Sequence, residues 1–592
     1  MSKKTVRIGC ASAFYGDSQL SARQLVDKGD IDYLVFDYLA ESTMAILARM
    51  AMKNDKLGYA IDFVSVAMKD VLADCAKKGI KVVANAGGVN VPGCIEAIEK
   101  LCEDEGLNLI IAGVYGDDLM DRAGELAASG LSDIKTGEAL PDKLASINAY
   151  LGADPIAKAL DAGADVVVTG RVVDSAVVLA PLLHEFGWKM TDYNQLAQGS
   201  LAGHVVECGA QCTGGNFTDW HLVPDFSDMS YPIAEVSADG GFIIDIPPGT
   251  GGMVTPATVG EQILYEIGDP ANYLLPDVAC DFSNIKIEKI AKDRVQVTGA
   301  KGRAPGYDYK VCATYIDGHR MMGTFYMAGL NCADKARTNM QAWVKRTRKV
   351  FEEKGLGDYR AVSLDCVGCE DIYGPHARAG ETREVMGKFG LHHDSKAALT
   401  FAAAEMAYLG TSAAPGMTGF GAGRARPQPL MRIHSSMLAK STLAVKVQLG
   451  DKVLSDEVYD VAEQSKPFEK SEMLFDALEV EDDWIDVPLV QIAYARSGDK
   501  GDSANIGVMA REERFLPILH TQVTAPVVAK YFAHLVDGAV TRYSLPGFNA
   551  YNFLMEDALG GGATASLRLD SQGKTYGQML LSLMVRIPPD WV

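Results

Sequence analysis

His204 and Glu207 stand three residues apart, Cys208 follows at once, and Gln211, Thr213, Gly214, Gly215 and Asn216 come directly behind. On a helix this spacing puts His204 and Glu207 on one face, where they can hydrogen-bond as an acid/base pair. Cys208, four residues from His204, would add a thiol to that face. The Cys-Thr-Gly-Gly-Asn run breaks the helix and exposes backbone N–H groups suited to a carboxylate or a developing enolate oxygen. The plainer reading is a buried helix end whose His and Glu satisfy each other.

A second group opens from strand ends. Gly170-Arg171-Val172-Val173-Asp174-Ser175 follows an apolar strand and leads into a helix, which places Arg171 and Asp174 at the carboxyl edge of a parallel sheet. Arg171 suits a bidentate grip on a carboxylate or phosphate, and Asp174 adds an acid; an Arg–Asp pair that only fixes the loop is the alternative. Asn85, Gly87, Gly88 and Asn90 lie between a strand and a helix, where glycines permit close approach and a helix N-terminus favours anions. The G-x-G-x-x-G spacing is absent, so nicotinamide binding is not indicated. Loops at 11–18, 37–41 and 113–118 are expected on the same edge. Cys366-x-x-Cys369 lacks a second ligand pair and reads as incidental thiols. No ligand set for a metal is named, and a divalent metal stays open as an adjunct.

The elements that must hold these residues follow one pattern through the first 185 positions. Short β-branched runs at 6–10, 33–36, 81–84, 109–112 and 165–169 each lead into an amphipathic segment, which predicts a mostly parallel sheet covered on both faces. A doubly wound sheet is the favoured form and a (β/α) barrel the alternative. Residues 285–297 and 309–315 look antiparallel, 337–354 amphipathic and helical, and Thr255-Pro256 predicts a helix start. This gives a large α/β domain over 1–454, an acidic linker over 455–486 and a small α+β domain over 487–592, with closing strands at 563–569 and 578–587. In that last domain Asp502 and Asn505 sit in or beside a charged turn, fit for catalysis or for docking.

The chain has 592 residues and a net charge of −21, with no Lys/Arg-dense stretch, so nucleic acid is not expected as a partner. No apolar run reaches the length of a membrane span, no secretory pattern begins the chain, and the eleven scattered cysteines read as reduced thiols. A cytoplasmic protein is expected, and a homo-oligomer with it.

The stretch GSLAGHVVECGAQCTGGN at 199–216 resembles the signature of the acyclic terpene utilisation (AtuA) family. So do IGCASAFYGD near the start, AGADVVVTGRVVDSA and GTGGMVTPATVGEQ, while IAYARSGDKGDSANIGV resembles the ferredoxin-fold-like domain that follows in that family. The resemblance implies catabolism of branched acyl-CoA thioesters, with cleavage of a 3-hydroxy-3-substituted-glutaryl-CoA to acetate and a 3-oxoacyl-CoA as the suggested step. A hydratase of an unsaturated acyl-CoA or acid, and a non-catalytic module of an acyl-CoA pathway, remain the alternatives. In the enzyme readings His204 with Glu207 is the base, and Arg171 with the 213–216 amides holds the anion.

Overall fold

The computed structural model describes residues 5–379, 381–421, 423–459, 466–473, 475, 478 and 480–591. Strands β1 (Thr5–Cys10), β2 (Tyr33–Phe36), β3 (Lys81–Ala84), β4 (Ile111–Tyr115) and β5 (Val166–Thr169) pair in parallel in the order 1-2-3-5-4. Their apolar residues alternate between two cores, as the two-residue period of a strand requires. Ile8, Val35, Val83 and Val167 face the helices Asp154–Asp161, Ala176–Phe186 and Tyr193–Val206. Leu34, Phe36, Val82 and Val168 face Ser21–Lys28, Lys69–Lys78 and Val91–Glu105.

The sheet is mixed rather than mostly parallel. Among the described residues it has 11 strands, and the flanks are antiparallel. Ile233–Ser237 joins β1, then Phe242–Asp245, Arg294–Thr298 and Lys286–Ala291; Ala444–Leu449 joins β4, then Lys452–Val458. Turn length sets the direction within the three hairpins of these flanks. Gly240, Asp293 and Gly450 have positive φ and close turns too short for a parallel crossover. The sheet is open at both edges, so no barrel forms. The pairing expected between 285–297 and 309–315 is replaced by a hairpin within the first segment.

The second segment begins a strand, Asp308–Ala328, that serves as the spine of another sheet. Leu144–Ala149, Glu384–His393, Met417–Phe420 and Gln428–Ala439 all pair with it. Helix Cys332–Lys354, the amphipathic stretch legible in the sequence, buries Met340, Trp343 and Phe351 over this sheet in a separate core. The linker expected over 455–486 is a strand at both ends, Lys452–Val458 and Ile485–Pro488, and its middle lies partly outside the described residues.

The C-terminal domain pairs Ala493–Lys500, Ser503–Ala510, Ala550–Met555 and Val540–Leu545 antiparallel, in that spatial order, with Ile485–Pro488 beside Met584–Ile587. The strand expected at 563–569 is instead the short helix Gly562–Ala565 and the chain after it. The hairpin 540–555 was not anticipated. Its signal was present as two strand-like runs around Pro546-Gly547-Phe548-Asn549, with Asn549 at φ 57°. Among the described residues no helix is long and apolar enough to cross a membrane.

Helix Tyr193–Val206 reaches its position through two glycines. A Cβ on Gly199 would lie 2.8 Å from Leu179, and one on Gly203 would lie 2.7 Å from the Ser175 backbone. Gly203→Val would push the helix off the loop that carries Asp174, at a cost of about 1–3 kcal/mol from overpacking. The expected result is a lower urea midpoint with an unchanged slope; an unchanged midpoint would show that this close approach contributes nothing.

Candidate functional site

The carboxyl ends of the five parallel strands run into loops that are stitched to one another. The Ser12 hydroxyl donates to Asp37 O at 3.1 Å, and Asn85 Nδ2 donates to Asp37 Oδ1 at 2.5 Å. Asn85 Oδ1 accepts from Tyr38 N at 2.7 Å, and Gly87 N donates to Thr169 O at 2.9 Å. Arg171 N and Asn148 Nδ2 both donate to Asp117 Oδ2. Gly170 borders that carboxylate so closely that a Cβ would sit 2.3 Å from it. Asn90 caps helix Val91–Glu105 through Gly93 N and donates to Asp55 O and Leu57 O, while Gly87 and Gly88 pack against Thr169 O and Gly58 O. These four sequence-predicted residues therefore build the loop, and Asn85 alone among them touches an acid of the cluster described next.

Four carboxyl groups, Asp37, Glu41, Asp174 and Glu207, gather above this edge with Arg171 and Lys310. Arg171 is buried; its Nη1 donates to Asp174 Oδ1 at 2.6 Å and to Val172 O, and its buried Nε has no partner among the described residues. The Tyr150 ring lies 4.1 Å from the guanidinium and 4.9 Å from the Lys310 amine. Glu41 accepts from Lys310 Nζ at 2.9 Å and from the Tyr150 hydroxyl at 2.7 Å, and the Lys310 charge holds it well below the usual carboxylate range. Burial, followed by the charges of Asp174 and Glu207, pushes the Asp37 carboxyl well above its ordinary value.

His204 and Glu207 meet at the end of helix Tyr193–Val206, with Glu207 as the C-cap residue. His204 Nδ1 lies 3.0 Å from Glu207 Oε1, and Nε2 lies 3.2 Å from Ile263 O. A carbonyl only accepts, so Nε2 carries a hydrogen and one proton is shared between Nδ1 and Glu207. Both imidazole nitrogens are thus turned toward protein acceptors. Among the described residues the second oxygen of Glu207 has no such tie, and burial raises the Glu207 carboxyl. The Tyr273 ring closes the other side, 5.7 Å from His204. Burial also pushes the Cys208 thiol far up, so it is held as a thiol.

The residues 211–216 serve a different contact. Gly214 N and Gly215 N both donate to Ala210 O, Asn216 and Gly214 take positive φ, and the Thr213 hydroxyl donates to Ser230 O. Gln211 Oε1 and Gly215 O accept from Arg496 of the C-terminal domain. Among the described residues no hydrogen bond ties this run to His204 or Glu207. The turn of hairpin 493–510 brings Asp499 and Lys500 toward the same edge: Lys574 bridges Glu266 and Asp499 at 2.9 Å each, and the Lys500 charge bears on Glu207. Asn505 docks through Glu266 N and Leu264 O, whereas Asp502 caps its own domain at Leu559 N and Gly561 N.

The model of the acyclic terpene utilisation family protein AtuA matches residues 6–449, and that of the AtuA ferredoxin-like domain matches residues 487–586. The chain belongs to the AtuA family. No curated protein and no solved structure matches it. Both family segments meet at this edge, since Asp499, Lys500 and Lys574 come from the second.

Tyr150, Lys310 and Tyr273 were not anticipated. Each is a single polar residue in or beside a strand, and its own neighbours in sequence carry no sign of it. Among the described residues no group of three or more His, Cys, Asp or Glu side chains is disposed to hold a metal ion. Cys366 and Cys369 are free and buried, with their sulfurs 3.4 Å apart. His376, the nearest addition to that pair in sequence, instead reaches Tyr531 O at 2.9 Å.

Burial pushes the Asp117 carboxyl up to about 7. A folded-state pKa above the unfolded one means that the folded chain binds the extra proton between roughly pH 4 and pH 7, so this group lowers stability as pH rises through that window. Asp117→Asn keeps an acceptor for Arg171 N and removes the titration. Chemical denaturation at a series of pH values should show a shallower fall in stability from pH 4 to 7 than in wild type; an equal slope would remove Asp117 from the account.

Proposed function

We propose that this AtuA-family chain is a lyase that cleaves a branched 3-hydroxyacyl thioester of the acyclic terpenoid type. The observation that carries this reading is the convergence of Asp37, Asp174 and Glu207 with Arg171 at the carboxyl edge of the parallel strands. Asp37 is buried beside the charges of Asp174 and Glu207, which favours its protonated form. We assign Asp37 as the acid, and Asp174, ion-paired with the Arg171 guanidinium, as the group that accepts the hydroxyl proton.

In the cleavage step Asp174 takes the proton of the substrate hydroxyl as the carbon–carbon bond to the carboxymethyl group breaks. The hydroxyl carbon becomes the ketone of a 3-oxoacyl thioester. The departing carbon, as an enediolate beside Arg171, takes its proton from Asp37 and leaves as acetate. Glu207 relays the proton from Asp174 back to Asp37, which restores both groups, and His204, with both nitrogens occupied, orients Glu207. The thioester and the branched chain rest on the family's tie to acyclic terpene utilisation. The family's ferredoxin-like domain supplies Lys500, a cation at the rim for an anionic part of the substrate.

Purified protein incubated with branched 3-hydroxy-3-substituted-glutaryl-CoA should release acetate and a 3-oxoacyl-CoA, followed by mass detection. Asp174→Asn and Asp37→Asn should lose about 10²–10⁴-fold in kcat, the range for a lost acid or base. His204→Ala should lose less and shift the pH profile, as expected of a residue that acts through Glu207. Interconversion of the hydroxy and unsaturated thioesters without acetate would establish a hydratase instead. Binding without turnover in wild type would establish a non-catalytic module.

A further inference from the structure

A second polar compartment lies on the opposite face of the strand that carries Lys310. Successive residues of a strand point to opposite sides, and Tyr309 lines a cavity of about 390 Å³ while Lys310 pairs with Glu41 in the carboxyl cluster. The cavity is lined by the apolar Leu151, Met190 and Val445 and by the polar Lys440, Asp277 and Tyr459. Its volume falls in the range of small-molecule sites.

Lys440 is 3% exposed. It sits on the turn after strand Gln428–Ala439, and its backbone N donates to Tyr307 O. Nζ donates to Pro276 O at 2.7 Å and lies 5.5 Å from the centre of the Tyr309 ring. Among the described residues no carboxylate lies within ion-pair distance of it. An ammonium has three donors, and a buried one with a single acceptor and a ring face is poorly compensated. Burial accordingly lowers the Lys440 amine to about 8, against the opposing charges of Asp277 and Asp308. Asp277 accepts from Ala153 N at 2.9 Å, and burial pushes it up to about 6. Tyr459 donates to Asp154, which also pairs with Lys158.

We propose that this cavity binds a small aldehyde or ketone and that the Lys440 amine holds it as an imine. The charges around the cavity select for a neutral ligand: an anion would face Asp277 and Asp154, and a cation would face Lys440. The nitrogen lone pair forms the C–N bond to the carbonyl carbon. The carbonyl oxygen leaves as water, carrying both amine hydrogens, and Asp277 relays one of them. No other reactant is needed. A desolvated lysine in an apolar pocket is the usual means of activating an amine for this step.

The test is reductive trapping on the full chain at pH 8. Acetaldehyde and acetone are the probes, cyanoborohydride is the reductant, and the labelled lysines are mapped by peptide mass. At that pH an amine of pKa about 8 is half neutral, whereas an exposed lysine is neutral to about 0.3%, so labelling of Lys440 should exceed that of an exposed lysine on the order of 100-fold. Lys100, which is 70% exposed, is the internal reference. Lys440→Met, close in volume, should abolish the dominant adduct while leaving Lys100 labelling unchanged. Labelling of Lys440 no greater than that of Lys100 overturns the proposal. That comparison is made within the wild-type chain, so it decides the matter even if the variant does not fold.

Discussion

Helix Pro256–Leu264 is buried along most of its length, and its polar side chains leave it no freedom of placement. Glu261 and Gln262 have no exposed surface, so each must find a partner inside the protein or incur the desolvation cost in full. Glu261 accepts from Arg496 and from Thr218 N, and Gln262 Nε2 donates to His204 O. Ile263 O receives His204 Nε2, and Leu264 O receives Asn505 Nδ2. Five consecutive residues thus touch either the His204–Glu207 pair or the C-terminal domain, because Gly260 also lies against Met509. The helix itself starts where its sequence requires, with Thr255 and Thr258 forming a reciprocal cap ahead of Pro256.

This arrangement makes the small domain part of the site rather than an appendage. A buried Arg–Glu pair stabilises little by itself, since desolvation offsets most of the attraction, but it penalises any misplacement that leaves one charge alone. Arg496 spends its remaining donors on Gln211 and Gly215 O, and Arg511 grips Asp219 with both arms at 2.6 Å. Gly507 permits the closest approach, since a Cβ there would fall 2.2 Å from Leu264 Cβ. The docking is therefore specific in register. That register is what carries Asp499, Lys500 and Lys574 to the edge where Glu207 and Glu266 lie.

What the sequence made legible follows from the range of each interaction. The alternation of apolar runs and helices is local, so the five parallel strands and the helices on both faces could be read directly. The His204–Glu207 contact is also local, three residues along one helix end, and it forms with the expected partners. The glycines at 213–216 misled because their nearest chemical meaning was an anion hole. Their N–H groups turn inward to Ala210, and their true counterpart, Arg496, is some 280 residues away. The antiparallel flanks were obscured for the same reason: whether a strand such as Ala444–Leu449 joins β4 depends on a pairing that no nearby residue announces. Lys310 and Tyr150 matter only because distant strands bring them beneath Arg171.

The strand Asp308–Ala328 then separates two environments that differ in how a lysine is compensated. Lys310 meets Glu41 at 2.9 Å and lies over Tyr150, so its charge is matched in place and serves as a fixed positive field beside Arg171. Among the described residues Lys440 meets a carbonyl and a ring, and its nearest acids stand beyond ion-pair reach. The same residue type is consequently an electrostatic fixture on one face and a neutralisable amine on the other. The difference is set by a single carboxylate at contact distance. At a few ångströms and low effective dielectric the attraction of such a carboxylate outweighs the desolvation of an ammonium; without it, desolvation prevails. Placement of acids, more than burial as such, divides the fold into a face that holds charge and a face that can share an electron pair.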